Sequence, residues 1–179
     1  MKAKWTILAA IGFLFLLLSL PFVPEYLLAG SHQKAVEASF KKFAESDKDG
    51  IYSAFDSMLI NRVAADPSVA KRVKMSNISD CDFLGSDFSA LEHLPNLEEL
   101  VIYSSKNCDA VVPVINRLPR LTRITFADCG LSDAGFDKLN HRGLMSFCMS
   151  AYAKNWTDDA ITRLKERMTT CSFDIDAQE

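Results

Sequence analysis

The sequence lacks an excess of basic residues. It contains 20 lysines and arginines against 23 aspartates and glutamates, with a formal net charge of −3 and a pI of about 5.6. A nucleic-acid-binding protein needs a concentrated basic surface, because it must displace counterions from phosphates. The densest basic cluster, residues 117–123, is typical of a solvated edge. The sequence therefore predicts no nucleic-acid partner.

Motifs of catalysis and of zinc or phosphate binding are also missing. There is no G-x-S-x-G nucleophile turn, no phosphate-binding loop and no H-E-x-x-H zinc motif. Of only three histidines, His93 and His141 fall near the ends of predicted helices. An imidazole at such a position commonly interacts with the last helical carbonyls. We therefore expect no enzymatic activity.

A long apolar segment opens the chain. Lys2 and Lys4 lie near the amino terminus, and residues 5–24, which follow them, carry no charge. About 20 apolar residues suffice for a helix to cross a bilayer, so residues 1–30 predict a membrane anchor with a single span through residues 5–24. Basic residues stay in the cytoplasm, which leaves the rest of the chain outside it. The alternative is a cleaved signal peptide, which would leave a secreted or periplasmic protein.

Residues 31–67 predict a helical stalk or cap. Apolar residues spaced as on one face of a helix come first: Val36, Phe40 and Phe43. A second helix is predicted over residues 54–65. It must end before Pro67, because the residue that precedes a proline avoids the helical conformation.

The acidic stretch ESDKDGIYSAFD lies between these two predicted helices and resembles an EF-hand calcium loop. Acidic residues occupy loop positions 1, 3, 5 and 12, and Gly50 occupies position 6. The resemblance implies Ca²⁺ as a ligand and four side chains that bind it: Glu45, Asp47, Asp49 and Asp56. The stretch departs from the motif at position 1, which is Glu, and at position 12, which is the shorter Asp. The alternative is an acidic turn between two helices.

A repeated pattern with a period of about 24 residues begins at residue 68. Five short apolar stretches predict strands: VKM (73–75), LVI (100–102), ITF (124–126), FCM (147–149) and CSF (171–173). An apolar residue stands three positions before each of them: Ala70, Leu97, Leu121, Leu144 and Met168. Short helix-like segments separate the strands. This pattern predicts a solenoid, in which each unit buries its apolar face against the next.

The unit LTRITFADCGL fits the pattern L-x-x-L-x-L-x-x-N/C-x-L at every position: Leu121, Ile124, Phe126, Cys129 and Leu131. It resembles the leucine-rich repeat family, in its cysteine-containing and bacterial forms. Other units depart from the pattern, since Ser105 and Tyr152 stand where Asn or Cys is usual. The resemblance covers residues 68–176 and leaves residues 177–179 as a tail. It implies an α/β fold, a short solenoid of parallel strands and helices that follows the transmembrane helix and the stalk.

The five cysteines are odd in number, and no two have the C-x-x-C spacing of a redox or zinc site. Cys129 and Cys171 fill inward positions of the repeat. Cys81 and Cys108 follow adjacent predicted strands and are the one plausible disulfide. The sequence favours reduced cysteines that act as small apolar residues.

Side chains that alternate with the inward ones line the concave strand face of such a solenoid. Tyr103, with Arg123 and Glu99 beside it, is the best binding centre, because Tyr and Arg are enriched at such centres. The predicted protein-binding residues are Arg72, Lys74, Glu99, Val101, Tyr103, Arg123, Thr125 and Cys148. A polar surface without a dedicated partner is the alternative.

Together these features predict a membrane-anchored leucine-rich-repeat protein that binds another protein through its concave strand face. Two alternatives stay open. In the first, the chain is an assembly or scaffold factor of a membrane complex, and the anchor itself contacts partners. In the second, it is a calcium-responsive binding protein that acts through the loop of residues 45–56.

Overall fold

The structure is a computed structural model that describes residues 25–54, 56–151 and 154–177. The predicted membrane span, residues 5–24, lies outside these ranges. In the described ranges no helix is both long and apolar enough to cross a membrane. The chain divides into two compact parts, Met1–Ala38 and Ser39–Glu179, and the second contains the whole β-sheet.

In the described residues, six strands and six α-helices are distributed along the chain. The strands are β1 (Gly50–Ala54), β2 (Met75–Ser79), β3 (Glu99–Tyr103), β4 (Arg123–Ala127), β5 (Ser146–Ala151) and β6 (Ser172–Ala177). The described α-helices are α1 (Glu25–Ala44), α2 (Met58–Ala64), α3 (Pro67–Ala70), α4 (Val112–Ile115), α5 (Asp133–Lys138) and α6 (Asp158–Arg167). Two short 3₁₀ helices, Ser89–His93 and Cys108–Val111, complete the described elements.

The six strands form one parallel sheet in the order in which they occur in the sequence. Each inner strand pairs with its predecessor and its successor, β1 and β6 form the edges of the sheet, and helical segments connect consecutive strands. Parallel strands require such crossovers, because each must begin at the same edge of the sheet. The predicted α/β fold of parallel strands that alternate with helices is confirmed.

One face of the sheet is buried beneath the helical segments. The first row of inward-pointing residues, one near the start of each of the first five strands, is at most 3% exposed. It contains Ile51, Ser76, Leu100, Ile124 and Phe147. The helical side supplies one fully buried residue from each crossover after β2: Leu91, Ile115, Phe136 and Leu164. The five predicted residues that precede the strands are also buried. Burial of each large apolar side chain contributes about 1.5–3 kcal/mol, so this shared core holds successive units together.

The structure corrects the predicted helix over residues 54–65. Residues 50–54 instead form β1, which pairs with β2, and the helix begins only at Met58. Ile51 and Ser53 point inward and are buried, whereas Tyr52 between them is exposed. The strand covers the otherwise open edge of β2, so the sheet begins one unit earlier than the sequence predicts.

The predicted register is also wrong at both ends of the repeat. Ser76, not Val73, pairs with Leu100, and Phe173, not Cys171, pairs with Phe147. Val73 is fully buried ahead of the strand, and the polar Ser76 takes the inward place in β2. The repeat pattern requires an apolar residue at this inward position of β2, so the prediction chose Val73 instead of Ser76.

Candidate functional site

The face of the sheet opposite the core is the candidate site, and we call it the open face. Its side chains alternate with the inward ones along each strand. Three rows of register-paired residues cross it. The first row is Met75, Glu99, Arg123, Ser146 and Ser172; the second is Tyr52, Asn77, Val101, Thr125, Cys148 and Asp174; the third is Ser79, Tyr103, Ala127, Ser150 and Asp176. Nearly all of these residues are exposed or half-buried, so the face is accessible.

Six of the eight predicted binding residues lie on the open face, in the central strands β3, β4 and β5: Glu99, Val101, Tyr103, Arg123, Thr125 and Cys148. Glu99 and Arg123 are direct register partners. The Arg123 guanidinium donates to Glu99 Oε2 from Nη2 at 2.8 Å and from Nε at 3.2 Å. An exposed ion pair of this kind adds little stability. Its effect is to fix the direction of the arginine on the surface.

Two exposed tyrosines stand on the same half of the open face. Tyr103 is 46% exposed and Tyr52 is 61% exposed. Between them lies Ser79, which pairs with Tyr103 in register and whose Oγ is 2.6 Å from the Tyr52 hydroxyl. The hydrogen bond holds the Tyr52 ring across β2. The two rings give this half of the face an aromatic character.

Sequence reasoning missed Tyr52, because it placed that residue in an acidic turn between two predicted helices, either with calcium bound or without it. A signal was present in the sequence. Ile51 and Ser53 flank the tyrosine with the alternation of a strand, and β-branched and aromatic residues favour strands. With only a few residues and an acidic turn in front, the alternation did not outweigh the resemblance to a calcium loop.

Arg72 and Lys74, the other two predicted binding residues, lie before β2 and outside the open face. The Arg72 guanidinium donates to the backbone carbonyls at the end of α1 and in the turn after it: Phe43, Ala44, Ser46 and Lys48. It also lies 5.3 Å from the centroid of the Phe43 ring. The last carbonyls of a helix have no partner within it, so Arg72 satisfies them. The carbonyl of Lys74 accepts the Glu98 and Glu99 amides at 2.8 and 3.0 Å.

The structure does not gather the four predicted calcium ligands into a loop. A calcium loop must curl around the ion, but its predicted middle, residues 50–54, is the extended strand β1. The Asp49 carbonyl accepts the amides of Lys74 and Met75, and an Asp56 carboxylate oxygen accepts the Met58 amide at 2.8 Å. Within the described part of the chain, no three Asp, Glu, His or Cys side chains are placed to hold a metal ion.

The turns that follow the strands repeat in backbone conformation. Asp80, Ser104 and Asp128 follow β2, β3 and β4, and each has a positive φ, between 47° and 56°. The next residues, Cys81, Ser105 and Cys129, are all buried. The Cys129 thiol lies 3.4 Å from the Ile102 carbonyl, and the Ser105 hydroxyl donates to the Tyr103 carbonyl at 2.9 Å. The inward position predicted for Cys129 is therefore observed, and Ser105 fills the same position one unit earlier.

The side chains of the open face determine which contacts it can make. None of the three histidines lies on its strands, and the imidazole of His141 is buried, with Nε2 at 2.7 Å from the Leu118 carbonyl. The face instead presents aromatic rings, hydroxyls and an oriented ion pair. No protein-family model matches the sequence, and no curated protein matches it.

Proposed function

We propose that the chain is a short leucine-rich-repeat protein that binds another protein through its open face, while residues 5–24 hold it in a membrane. Two features support the repeat assignment. One strand recurs in each unit of about 24 residues, and the turn position of Cys129 is occupied by small buried side chains in two other units. The apolar positions of the repeat, such as Leu121 and Ile124, are buried.

The observation that carries the binding proposal is the exposure of Tyr52 and Tyr103 on the same face of the sheet as the Arg123–Glu99 pair. Large aromatic side chains on these strands are exposed to water, and covering them with a partner protein lowers the free energy. Tyr and Arg also dominate the energetic centres of protein interfaces. The strands hold these side chains in fixed register, so little conformational entropy is lost on binding.

A paired substitution tests the binding surface. Tyr103→Ala combined with Arg123→Ala should reduce recovery of the partner more than tenfold when the tagged full-length protein is purified from its own membranes. Arg117→Ala is the matched control, because Arg117 forms a similar ion pair with Glu92, 2.6 Å long, outside the open face. That pair also keeps the pKa of the Glu92 carboxyl below its usual value.

The control should recover the partner as well as the wild type does. Circular dichroism and thermal melts should show that both variants remain folded, since all the replaced side chains are substantially exposed. If both variants lost the partner equally, or if neither lost it, the open face would be ruled out as the binding surface.

A second prediction concerns the membrane. After an alkaline carbonate wash, the full-length chain should stay in the membrane pellet, whereas a chain that begins at Ser31 should appear in the supernatant. Sequencing of the mature amino terminus separates an anchor from a signal peptide, since only the anchor keeps residues 5–24. Release of an uncleaved full-length chain by the wash would exclude a membrane span.

A further inference from the structure

Two cysteines from consecutive units meet at the edge of the sheet where the strands end. Cys108 begins the 3₁₀ helix after β3, and Cys129 lies in the turn after β4, the neighbouring strand. The Cys108 thiol is 3.6 Å from the Ser105 carbonyl, and the Cys129 thiol is 3.4 Å from the Ile102 carbonyl, so both thiols lie against the end of β3 and the turn that follows it. Each thiol also shifts the pKa of the other, upward for Cys108 and downward for Cys129, as expected for neighbouring groups.

Both side chains are buried, yet a path to solvent exists. Cys108 is 3% exposed and Cys129 is 8% exposed. Cys108 lies in the wall of an open surface depression of about 340 Å³, together with Asn107, Gly130 and Ser132. The depression gives a disulfide reagent access to Cys108.

We propose that Cys108 and Cys129 form a redox-active pair that closes to a disulfide and staples the β3 unit to the β4 unit. The two thiols give up two protons and two electrons and form one S–S bond. A low-molecular-weight disulfide such as oxidised glutathione accepts them, and its own S–S bond breaks to release two glutathione thiols. An extracytoplasmic compartment would supply such oxidants.

The electrostatics of the pair support this reaction. The hydrogen bond with Cys129, together with burial, raises the pKa of the Cys108 thiol. The same hydrogen bond lowers the pKa of Cys129, against the opposing effect of burial. Cys129 therefore loses its proton more readily, and the thiolate is the form that attacks a disulfide.

The remaining thiols have different surroundings. The Cys81 thiol is 3.2 Å from the Ser79 carbonyl and points toward the end of its own strand. Burial raises the pKa of Cys171 to about 11, and the nearby Cys148 adds to this effect. Cys171 is thus a poor nucleophile at neutral pH. The structure therefore pairs Cys108 with Cys129, whereas the sequence had pointed to Cys81 and Cys108.

Peptide mapping of the full chain tests the pair. The reduced, folded protein is incubated with oxidised glutathione, blocked with N-ethylmaleimide and digested with trypsin without reduction. We expect the peptide of residues 107–117, which contains Cys108, linked to the peptide of residues 124–138, which contains Cys129. Because the staple closes a loop of roughly 20 residues, the oxidised protein should melt about 5–10 °C higher than the reduced protein.

Two variants control the experiment. Cys81→Ser should keep both the linked peptide and the shift in melting temperature, and Cys108→Ser should lose both. A third sample, oxidised in urea and mapped in the same way, should show a mixture of pairings, because the fold no longer selects one. A link from Cys108 to Cys81 in the folded protein, or full alkylation of Cys108 and Cys129 after oxidation, would overturn the proposal. This mapping on the wild-type chain decides the matter even if Cys108→Ser does not fold.

Discussion

Replacement of Phe147 by alanine should lower the free energy of unfolding by about 3–5 kcal/mol. Phe147 points inward from β5 and is fully buried. Its ring centroid lies 5.8 Å from that of Phe126, 6.1 Å from that of Phe136 and 5.9 Å from that of Phe173. These three neighbours belong to β4, α5 and β6. The ring therefore joins three consecutive units, and its removal would open a cavity at their junction.

Urea denaturation followed by circular dichroism measures this effect, and the melting temperature should fall by about 10 °C. Tyr103→Ala serves as the control, because it also removes an aromatic ring from a strand, but from the exposed side. Its cost should stay within about 0.5 kcal/mol. Equal losses from the two substitutions would mean that the core does not lie on the side of the sheet where Phe147 is buried.

The three central strands could be predicted from sequence because each satisfies a simple local rule. Leu100 and Ile102 alternate with Val101 and Tyr103, and the same alternation recurs in β4 and β5. Strand alternation has a period of two, so a correct inward residue also fixes which side chains face outward. This is why the sequence pattern places Glu99 and Arg123 side by side on the open face.

The first two strands could not be predicted in this way. In β2 the inward position after the strand begins is Ser76, fully buried, with no hydrogen-bond partner for its hydroxyl among the described residues. A buried hydroxyl without a partner carries a free-energy cost, so a serine is not expected at an inward position. The sequence pattern therefore predicts the wrong register for β2. Strand β1 follows directly after an acidic turn, and the sequence pattern extends that turn over Tyr52.

Contacts between units are a second kind of feature that local sequence does not encode. The pairing of Cys108 with Cys129 depends on the adjacency of β3 and β4 and on the 3₁₀ helix that turns Cys108 toward its neighbour. Spacing alone made Cys81 the one plausible partner for Cys108. Only the register and the turn geometry together distinguish Cys81 from Cys129 as that partner.

Gly135→Ala should destabilise the protein by about 2 kcal/mol, although the same change usually stabilises a helix. Gly135 lies within α5, and a Cβ added there would be 2.1 Å from Asp109 Oδ1 and 2.8 Å from its Cγ. The carboxylate of Asp109 would have to move. It accepts hydrogen bonds from the Ser132 amide, at 2.9 Å, and from the Ser132 hydroxyl, so the start of α5 would lose both.

The same connection recurs one unit later, which indicates that it is a feature of the repeat. Asp133 accepts the Thr157 amide at 2.7 Å and the Thr157 hydroxyl at 2.9 Å, at the start of α6. A carboxylate at a helix amino terminus also interacts favourably with the helix dipole. Each aspartate thus fixes where the helix of the next unit begins, and Gly135 provides the space for the first of them.

A thermodynamic cycle separates this clash from a general intolerance of α5. Asp109→Ala removes the carboxylate, so on that background Gly135→Ala should be neutral or slightly stabilising, and the coupling between the two sites should reach about 2 kcal/mol. Gly30→Ala, within α1, meets no atom within 4 Å and should not lower the free energy of unfolding. If Gly135→Ala costs the same with and without Asp109, the carboxylate is not what requires a glycine there. If the cost disappears, the glycine is needed because a side chain 26 positions earlier occupies the space of its Cβ.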